Sequence, residues 1–176
     1  DQSNEKPIYD ATYSGMLEDD YFPQYFWQTQ GENQPLLNDK HYNWTNGRLL
    51  GGGSSINGLQ YVRSTDGVFD KWHRISRDKS WSPKNVHWVY KEMENYNGLS
   101  SDNSVRGHHG HLNIRQAPKV PTDTMNKFVQ AVVAATGFAE ILDYNDPATP
   151  LGPFTRWQLF EKPNGHRESS NTAFLN

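Results

Sequence analysis

The stretch of residues 47–63, which reads GRLLGGGSSINGLQYVR, constrains this chain more than any other part of its sequence. Gly51, Gly52 and Gly53 have no Cβ atom, so the backbone there can adopt positive φ angles and approach a flat or charged ligand. Successive exposed N–H groups in such a turn suit a phosphate or an electron-rich ring edge. The pattern predicts a turn with either a ligand-binding or a purely structural role. Apolar residues on both sides indicate that this turn is anchored in a core: Leu49, Leu50, Ile56, Leu59 and Val62.

Two common phosphate-binding motifs do not fit this stretch. A P-loop requires Lys and then Ser or Thr after its last glycine, and residues 47–63 contain no lysine. A Rossmann fingerprint requires glycines at its first, third and sixth positions, but the sixth position counted from Gly51 is Ile56. The glycines therefore belong to neither motif.

The order of residues in this stretch resembles the first signature of the glucose-methanol-choline (GMC) oxidoreductases, flavoenzymes that oxidise alcohols. That signature reads Gly-Arg-x-Leu-Gly-Gly-Ser/Gly-Ser-x-Ile/Val-Asn-x-x-x-Tyr. The family usually continues with Tyr-x-Arg followed by Gly, Ala or Pro. This chain has Ser64 after Arg63, a departure that concerns the local turn. Ten positions match in order: Gly47, Arg48, Leu50, Gly51, Gly52, Gly53, Ser54, Ile56, Asn57 and Tyr61.

The resemblance implies an FAD cofactor and hydride transfer from an alcohol CH–OH group to flavin N5, while a histidine accepts the hydroxyl proton. Family members with covalent flavin can carry a histidine directly before the signature asparagine. This chain has Ile56 there, so we expect non-covalent FAD. The resemblance assigns cofactor contacts to nine residues: Arg48, Gly51, Gly52, Gly53, Ser54, Asn57, Gly58, Leu59 and Gln60.

Later parts of the chain resemble the same family, so that the resemblance runs from about Phe26 to the last residue. It implies an α+β fold. Residues 1–64 would form part of an FAD-binding domain, and residues 65–176 part of a substrate-binding domain in which helices pack on an antiparallel sheet. The C-terminal end would return toward the FAD domain. Near that end, five residues match the family's Gly-x-Arg-x-Ser-x-x-x-Ala-Tyr-Leu: Gly165, Arg167, Ser169, Ala173 and Leu175.

Two parts of the family's machinery lie outside these 176 residues. The Rossmann motif normally lies upstream and the catalytic histidine far downstream, and none of the seven histidines here matches it. We therefore expect an internal segment that acts on a small alcohol only with the remainder of its polypeptide and is inactive alone. The sequence leaves the alcohol, the electron acceptor and a homo-oligomeric state open. Two alternatives also fit, a non-catalytic structural or packaging protein that keeps the fold and a cyanohydrin lyase.

Local patterns predict the regular elements. Apolar periodicity predicts helices at residues 66–75, 83–96 and 121–137, the last closed by Gly137. Strands are expected at residues 112–115 and 154–160, and a turn at residues 143–147. Residues 1–46 are interpreted as loops around a short aromatic segment.

Three histidines, His108, His109 and His111, lie close together and could hold a metal ion. No Asp or Glu lies within this cluster, and two adjacent residues rarely point at one ion from a strand. We therefore interpret the cluster as part of a structural turn, which also resembles the family's Gly-x-x-Gly-x-Leu-x-Val pattern.

Composition argues against several classes of function. A net charge of −3 and the lack of a basic stripe argue against a nucleic-acid or anionic membrane surface. No apolar run approaches the ~20 residues that cross a bilayer. The absence of cysteine excludes disulfides and thiolate metal sites, but it leaves the compartment open. Because aromatic residues make up 13% of the chain, we expect the core to rely on large rings.

Overall fold

A computed structural model describes residues 23–99, 104–117 and 122–175. The chain divides into two compact units: unit 1 comprises Asp1–Leu59 and Glu161–Asn176, and unit 2 comprises Gln60–Phe160. The predicted assignment of residues 1–64 and 65–176 to two domains of an intact protein stays a prediction. In the described residues the elements are β1 (Phe26–Gln30), β2 (Asn43–Gly47), α1 (Asp66–Ser76), α2 (Pro83–Met93), β3 (Glu94–Asn97), β4 (Leu112–Gln116), α3 (Asp123–Thr136), β5 (Gln158–Phe160) and α4 (Ser170–Phe174).

Unit 1 contains a two-stranded antiparallel sheet, in which Phe26 pairs with Gly47 and Gln30 with Asn43. The prediction of loops is therefore wrong for β1 and β2, and residues 1–22 of that prediction lie outside the described residues. Both strands are mostly exposed and polar, so no alternation of apolar residues marks them in the sequence. Tyr25 and Phe26 form a small core, against which Leu49 and Ile56 pack.

Unit 2 contains a three-stranded sheet in the order β3, β4, β5. The expected antiparallel sheet is wrong in part, because β3 and β4 are parallel while β4 and β5 are antiparallel. A parallel pair needs a connection of about a dozen residues or more, which residues 98–111 provide. Tyr61, Tyr96 and Ile114 form the buried cluster on this sheet, so two of its three members are large rings.

The predicted helices are present. α1 covers residues 66–76, and α3 begins where the Thr122 side chain accepts the Met125 N–H and ends at Gly137, whose φ is 73°. α2 stops at Met93, three residues before its predicted end, because Glu94–Asn97 pairs with β4. β5 is shorter than predicted and begins only at Gln158. None of the described helices is long and apolar enough to cross a membrane. Helices and two small sheets agree with the expected α+β class.

Candidate functional site

The glycine-rich stretch folds as a tight turn in unit 1. Gly51 and Gly52 have φ angles of 85° and 51°, as the sequence predicts for glycines at such a turn, and Gly52–Ser55 forms one 3-10 turn. A Cβ atom at Gly51 would collide with the Ser55 hydroxyl, and one at Gly47 with the Gly52 carbonyl. Gly47 and Gly51 are therefore required by close packing within the turn.

Three other glycines have open space beside their backbone. A Cβ atom added at Gly52, Gly53 or Gly58 would meet no other atom of the described chain within 4 Å. Because the backbone is bare at all three positions, a flat group can approach it as closely as the sequence suggested. We call these three residues the open glycine face.

The two serines of the turn use their hydroxyl protons inside the protein. Ser54 Oγ donates to the Gly51 carbonyl at 2.6 Å, and the fully buried Ser55 donates to the Leu50 carbonyl at 2.8 Å. Both bonds close the turn on itself. Ser54, which the resemblance placed at the cofactor, thus stabilises the backbone that would face it.

Asn57 organises the end of the stretch. Its Oδ1 accepts the Leu59 N–H at 3.0 Å and Arg167 Nη1 at 2.7 Å. Leu59 has a φ of 66°, which is rare for a bulky residue, and its side chain is buried. The Asn57 side chain thus holds the backbone of residues 57–59 in an uncommon turn.

The C-terminal segment of unit 1 contacts the same turn, and sequence reasoning did not identify the side chains that make these contacts. Arg167 is 2% exposed and also donates from Nη1 to the Ser54 carbonyl at 3.2 Å. The Ser170 N–H donates to Ser54 Oγ at 2.9 Å. Burial lowers the pKa of the Arg167 guanidinium to about 10, so it stays charged at neutral pH. The matched motif with Arg167 and Ser169 was the signal that could have pointed to this role.

Two predicted cofactor residues make other contacts. Arg48 is exposed, and its guanidinium carbon lies 4.6 Å from the centre of the Trp27 ring. Its backbone N–H donates to the Tyr25 carbonyl. Gln60 belongs to unit 2, where it pairs with Leu159. The structure therefore brings together the predicted residues from Gly51 to Leu59 in unit 1.

Unit 2 contains a buried ionic cluster, which we define as Arg63, Glu94, Arg106 and Asp143. Arg63 Nη2 lies 2.7 Å from Glu94 Oε1, and Arg106 Nε lies 3.4 Å from the same oxygen and 3.8 Å from Asp143 Oδ2. All four side chains are at most 5% exposed. Two cations thus face two carboxylates, so the buried charge is balanced.

Neighbouring groups adjust the ionisation of this cluster. Burial raises the pKa of the Tyr61 hydroxyl, which donates to Glu94 Oε2 at 3.1 Å. Burial acts to lower the pKa of Arg63, but Tyr61 and Glu94 outweigh it and the pKa is raised. Arg63 therefore stays protonated at neutral pH.

Amide side chains connect the cluster to the rest of unit 2. Asn145 Oδ1 accepts the Arg63 N–H at 2.6 Å, and Asn145 Nδ2 donates to Gln158 Oε1 at 2.7 Å. Gln158 Nε2 in turn donates to Asp143 Oδ1 at 2.7 Å. Because these groups are buried and hydrogen-bonded to one another, they stabilise the fold of unit 2.

His108 and His87 contact different parts of unit 2. His108 Nδ1 contacts the Tyr96 carbonyl at 2.9 Å, which attaches the histidine-containing turn to β3. His87 Nε2 lies 2.6 Å from Asp66 Oδ1, beside a cavity of about 470 Å³ in unit 2. Within residues 23–99, 104–117 and 122–175, no group of three or more His, Cys, Asp or Glu side chains is placed to hold a metal ion.

Comparison with known proteins identifies relatives across most of the chain. The family model described as GMC oxidoreductase matches residues 24–176. An oxygen-dependent choline dehydrogenase from Sinorhizobium medicae is 34% identical over 155 residues, covering 86% of this chain and 26% of that protein. A protein of the same name from Staphylococcus saprophyticus is 30% identical over 152 residues, with the same coverage. The chain thus spans about a quarter of the length of these curated relatives.

Solved structures share the fold. Pyridoxine 4-oxidase from Mesorbium loti matches with a TM-score of 0.82 and 23% identity, covering 98% of this chain and 32% of the other. An FAD-dependent oxidoreductase from Chaetomium thermophilum matches with a TM-score of 0.78 and 19% identity, covering 97% and 29%. At these identities the likeness concerns the fold alone.

Proposed function

The chain belongs to the GMC oxidoreductase family, and from this premise we propose that it forms part of an FAD-dependent oxidoreductase that acts on a small alcohol. Family membership supports FAD, the cofactor expected from the sequence. The chain would contribute one part of the flavin site and one part of the substrate domain. Its own residues would bind and orient FAD, while the proton-accepting histidine would come from outside these residues.

The observation that carries this proposal is the open glycine face. Gly52, Gly53 and Gly58 offer bare backbone with free space beside it, which fits the flat ring system of a flavin. The bonds from Arg167 and Ser170 keep the turn in place before any ligand binds. When bound, FAD supplies the acceptor for the hydride removed from the alcohol carbon.

Non-covalent attachment is supported by the surroundings of Ile56. This side chain is partly buried and packs against the core formed by Tyr25 and Phe26. The position where some family members attach their flavin therefore carries a side chain without a nucleophilic atom, and that side chain serves the core. We propose that FAD is dissociable.

The remainder of the polypeptide is proposed as the partner of this chain. In unit 1, Trp27, Leu36 and Trp44 are 57%, 98% and 65% exposed. Such exposed apolar side chains commonly mark surfaces that another segment covers. Coverage of about a quarter of the curated relatives leaves ample sequence to do so.

An absorption spectrum of the purified intact protein, recorded before and after acid precipitation, tests the cofactor. A flavin that moves to the supernatant supports dissociable FAD, whereas colour in the pellet contradicts it. Anaerobic addition of choline or pyridoxine, the compounds in the relatives' names, then tests the reaction. Bleaching of the flavin supports alcohol oxidation, and a flavin that stays oxidised with a broad panel of alcohols favours the structural or lyase alternatives.

A further inference from the structure

We infer that Arg167 is a positioning residue that fixes the Asn57 amide so that its NH2 group faces the cofactor as a hydrogen-bond donor. This role presupposes the flavin site proposed above and adds a residue to it. It rests on the contacts around the Asn57 side chain.

Two donors determine which way the Asn57 amide points. Leu59 N and Arg167 Nη1 both approach Oδ1, at 3.0 and 2.7 Å. An amide oxygen can accept two hydrogen bonds, whereas an NH2 group in its place would face two further donors. The oxygen therefore lies on the protein side, and Nδ2 is the remaining polar atom of the side chain.

The Asn57 NH2 group is available to a ligand. Asn57 is exposed, it adjoins Gly58 of the open glycine face, and Nδ2 has no acceptor among the described residues. An NH2 group can only donate, so its partner must be an acceptor atom. A flavin carries such acceptors in its ring carbonyl oxygens, ring nitrogens and ribityl oxygens.

Arg167 is suited to this task because it is buried and charged. Its Nη1 donates to both Asn57 Oδ1 and the Ser54 carbonyl, so one nitrogen links the backbone of the glycine turn to the Asn57 side chain. A charged donor makes a shorter and stronger bond than a neutral one. Loss of Arg167 would release the Asn57 amide to rotate and would deprive the cofactor of a fixed donor.

The test is a double-mutant cycle on FAD affinity, measured by titrating the intact apoprotein with FAD and following flavin fluorescence. Arg167→Met in the native background should weaken FAD binding by about tenfold. In the Asn57→Ala background the same change should have little further effect, because Arg167 acts through Asn57. Equal losses in both backgrounds would overturn the inference. Arg74→Met, which removes an exposed arginine of α1, is the matched control and should leave FAD affinity unchanged.

A second variant keeps the inference testable if Arg167→Met does not fold. Asn57→Asp retains an oxygen for Leu59 N and Arg167 but replaces the donor by an acceptor. It should weaken FAD binding at least about tenfold while the thermal stability of the apoprotein is maintained. Native-like FAD affinity in Asn57→Asp would overturn the donor role. If the native intact protein itself binds no FAD, the proposed function fails, which is a separate outcome.

Discussion

Arg167 in unit 1 and Arg63 in unit 2 are both buried guanidinium groups, but their surroundings differ. Arg63 lies 2.7 Å from the Glu94 carboxylate, and its pKa is raised because Tyr61 and Glu94 outweigh the effect of burial. Arg167 donates to the uncharged oxygens of Ser54 and Asn57, and burial lowers its pKa to about 10. Arg63 thus balances the charge of a carboxylate in unit 2, whereas Arg167 stabilises a turn in unit 1.

The comparison separates a charge-balanced region from a turn with open backbone. In the buried ionic cluster two cations face two carboxylates, so its charges are balanced within unit 2. The glycine turn is closed by internal hydrogen bonds and leaves bare backbone and an exposed Asn57 side chain. A polar cluster is therefore a candidate ligand site only where some of its polar groups remain accessible.

The largest effect is expected when the ionic cluster loses a carboxylate. Glu94→Gln leaves Arg63 and Arg106 facing one carboxylate instead of two, and should lower the free energy of unfolding by about 3–5 kcal/mol. Urea unfolding of the intact protein measures this change. The exposed neighbour Glu92 provides the control, since Glu92→Gln should stay within about 0.5 kcal/mol of the native protein. If Glu94→Gln lowers the free energy of unfolding by less than about 1 kcal/mol, the ion pairs of the cluster contribute little to stability, which contradicts the account.

A smaller loss of stability is expected at the tight side of the glycine turn. Gly51→Ala places a Cβ atom against Ser55 Oγ at a φ of 85°, which should cost about 1–3 kcal/mol. The change can be followed by thermal unfolding. Gly58→Ala, where the added atom meets free space, should leave stability nearly unchanged, and equal losses at both positions would contradict the described geometry.

On the open side of the turn, the effect should appear in cofactor binding. Gly53→Ala fills part of the open glycine face and should weaken FAD binding by about tenfold, while the stability of the apoprotein stays nearly native. Fluorescence titration with FAD provides the measurement. Gly67→Ala in α1 also points into free space and should leave the affinity intact, so identical affinities for both variants would argue against the flavin site.

The smallest expected effect is the pH dependence of the stability that Arg167 contributes. The folded-state pKa of Arg167 is lowered to about 10, so below that pH both the folded and the unfolded chain carry the protonated group. The energetic penalty of burying this cation is therefore complete at neutral pH and is relieved only as the pH rises through about 10. Between about pH 6 and pH 9, the stability difference between native protein and Arg167→Met should vary by no more than about 0.1 kcal/mol. A marked slope in this window would contradict an Arg167 that stays charged up to about pH 9.

Local features of the sequence predicted much of the fold. The helices α1 and α3 carry apolar periodicity, and a threonine cap and a closing glycine bound α3. The end of α2 was missed because Tyr96 continues the helical spacing, although pairing with the distant β4 makes that residue part of a strand. The polar strands β1 and β2 carry no pattern that could have revealed them.

In the candidate site, too, local features were predicted from the sequence and contacts between distant residues were not. The glycine turn was predicted from the sequence because three adjacent residues without side chains are themselves the signal for such a turn. The contact between Arg167 and Asn57 joins residues 110 positions apart, and no local pattern contains it. The buried ionic cluster likewise combines residues from distant parts of unit 2, so its charge balance becomes visible only in the folded chain.

Hydrogen–deuterium exchange of the intact protein with and without FAD tests the central claim most directly. If the open glycine face holds the cofactor, FAD should slow exchange in peptides that cover residues 51–58. Peptides that cover residues 143–145, which include Asp143 of the buried ionic cluster, should exchange at the same rate in both states. Unchanged exchange at residues 51–58, together with FAD bound to the protein, would contradict the assignment of the flavin to this turn.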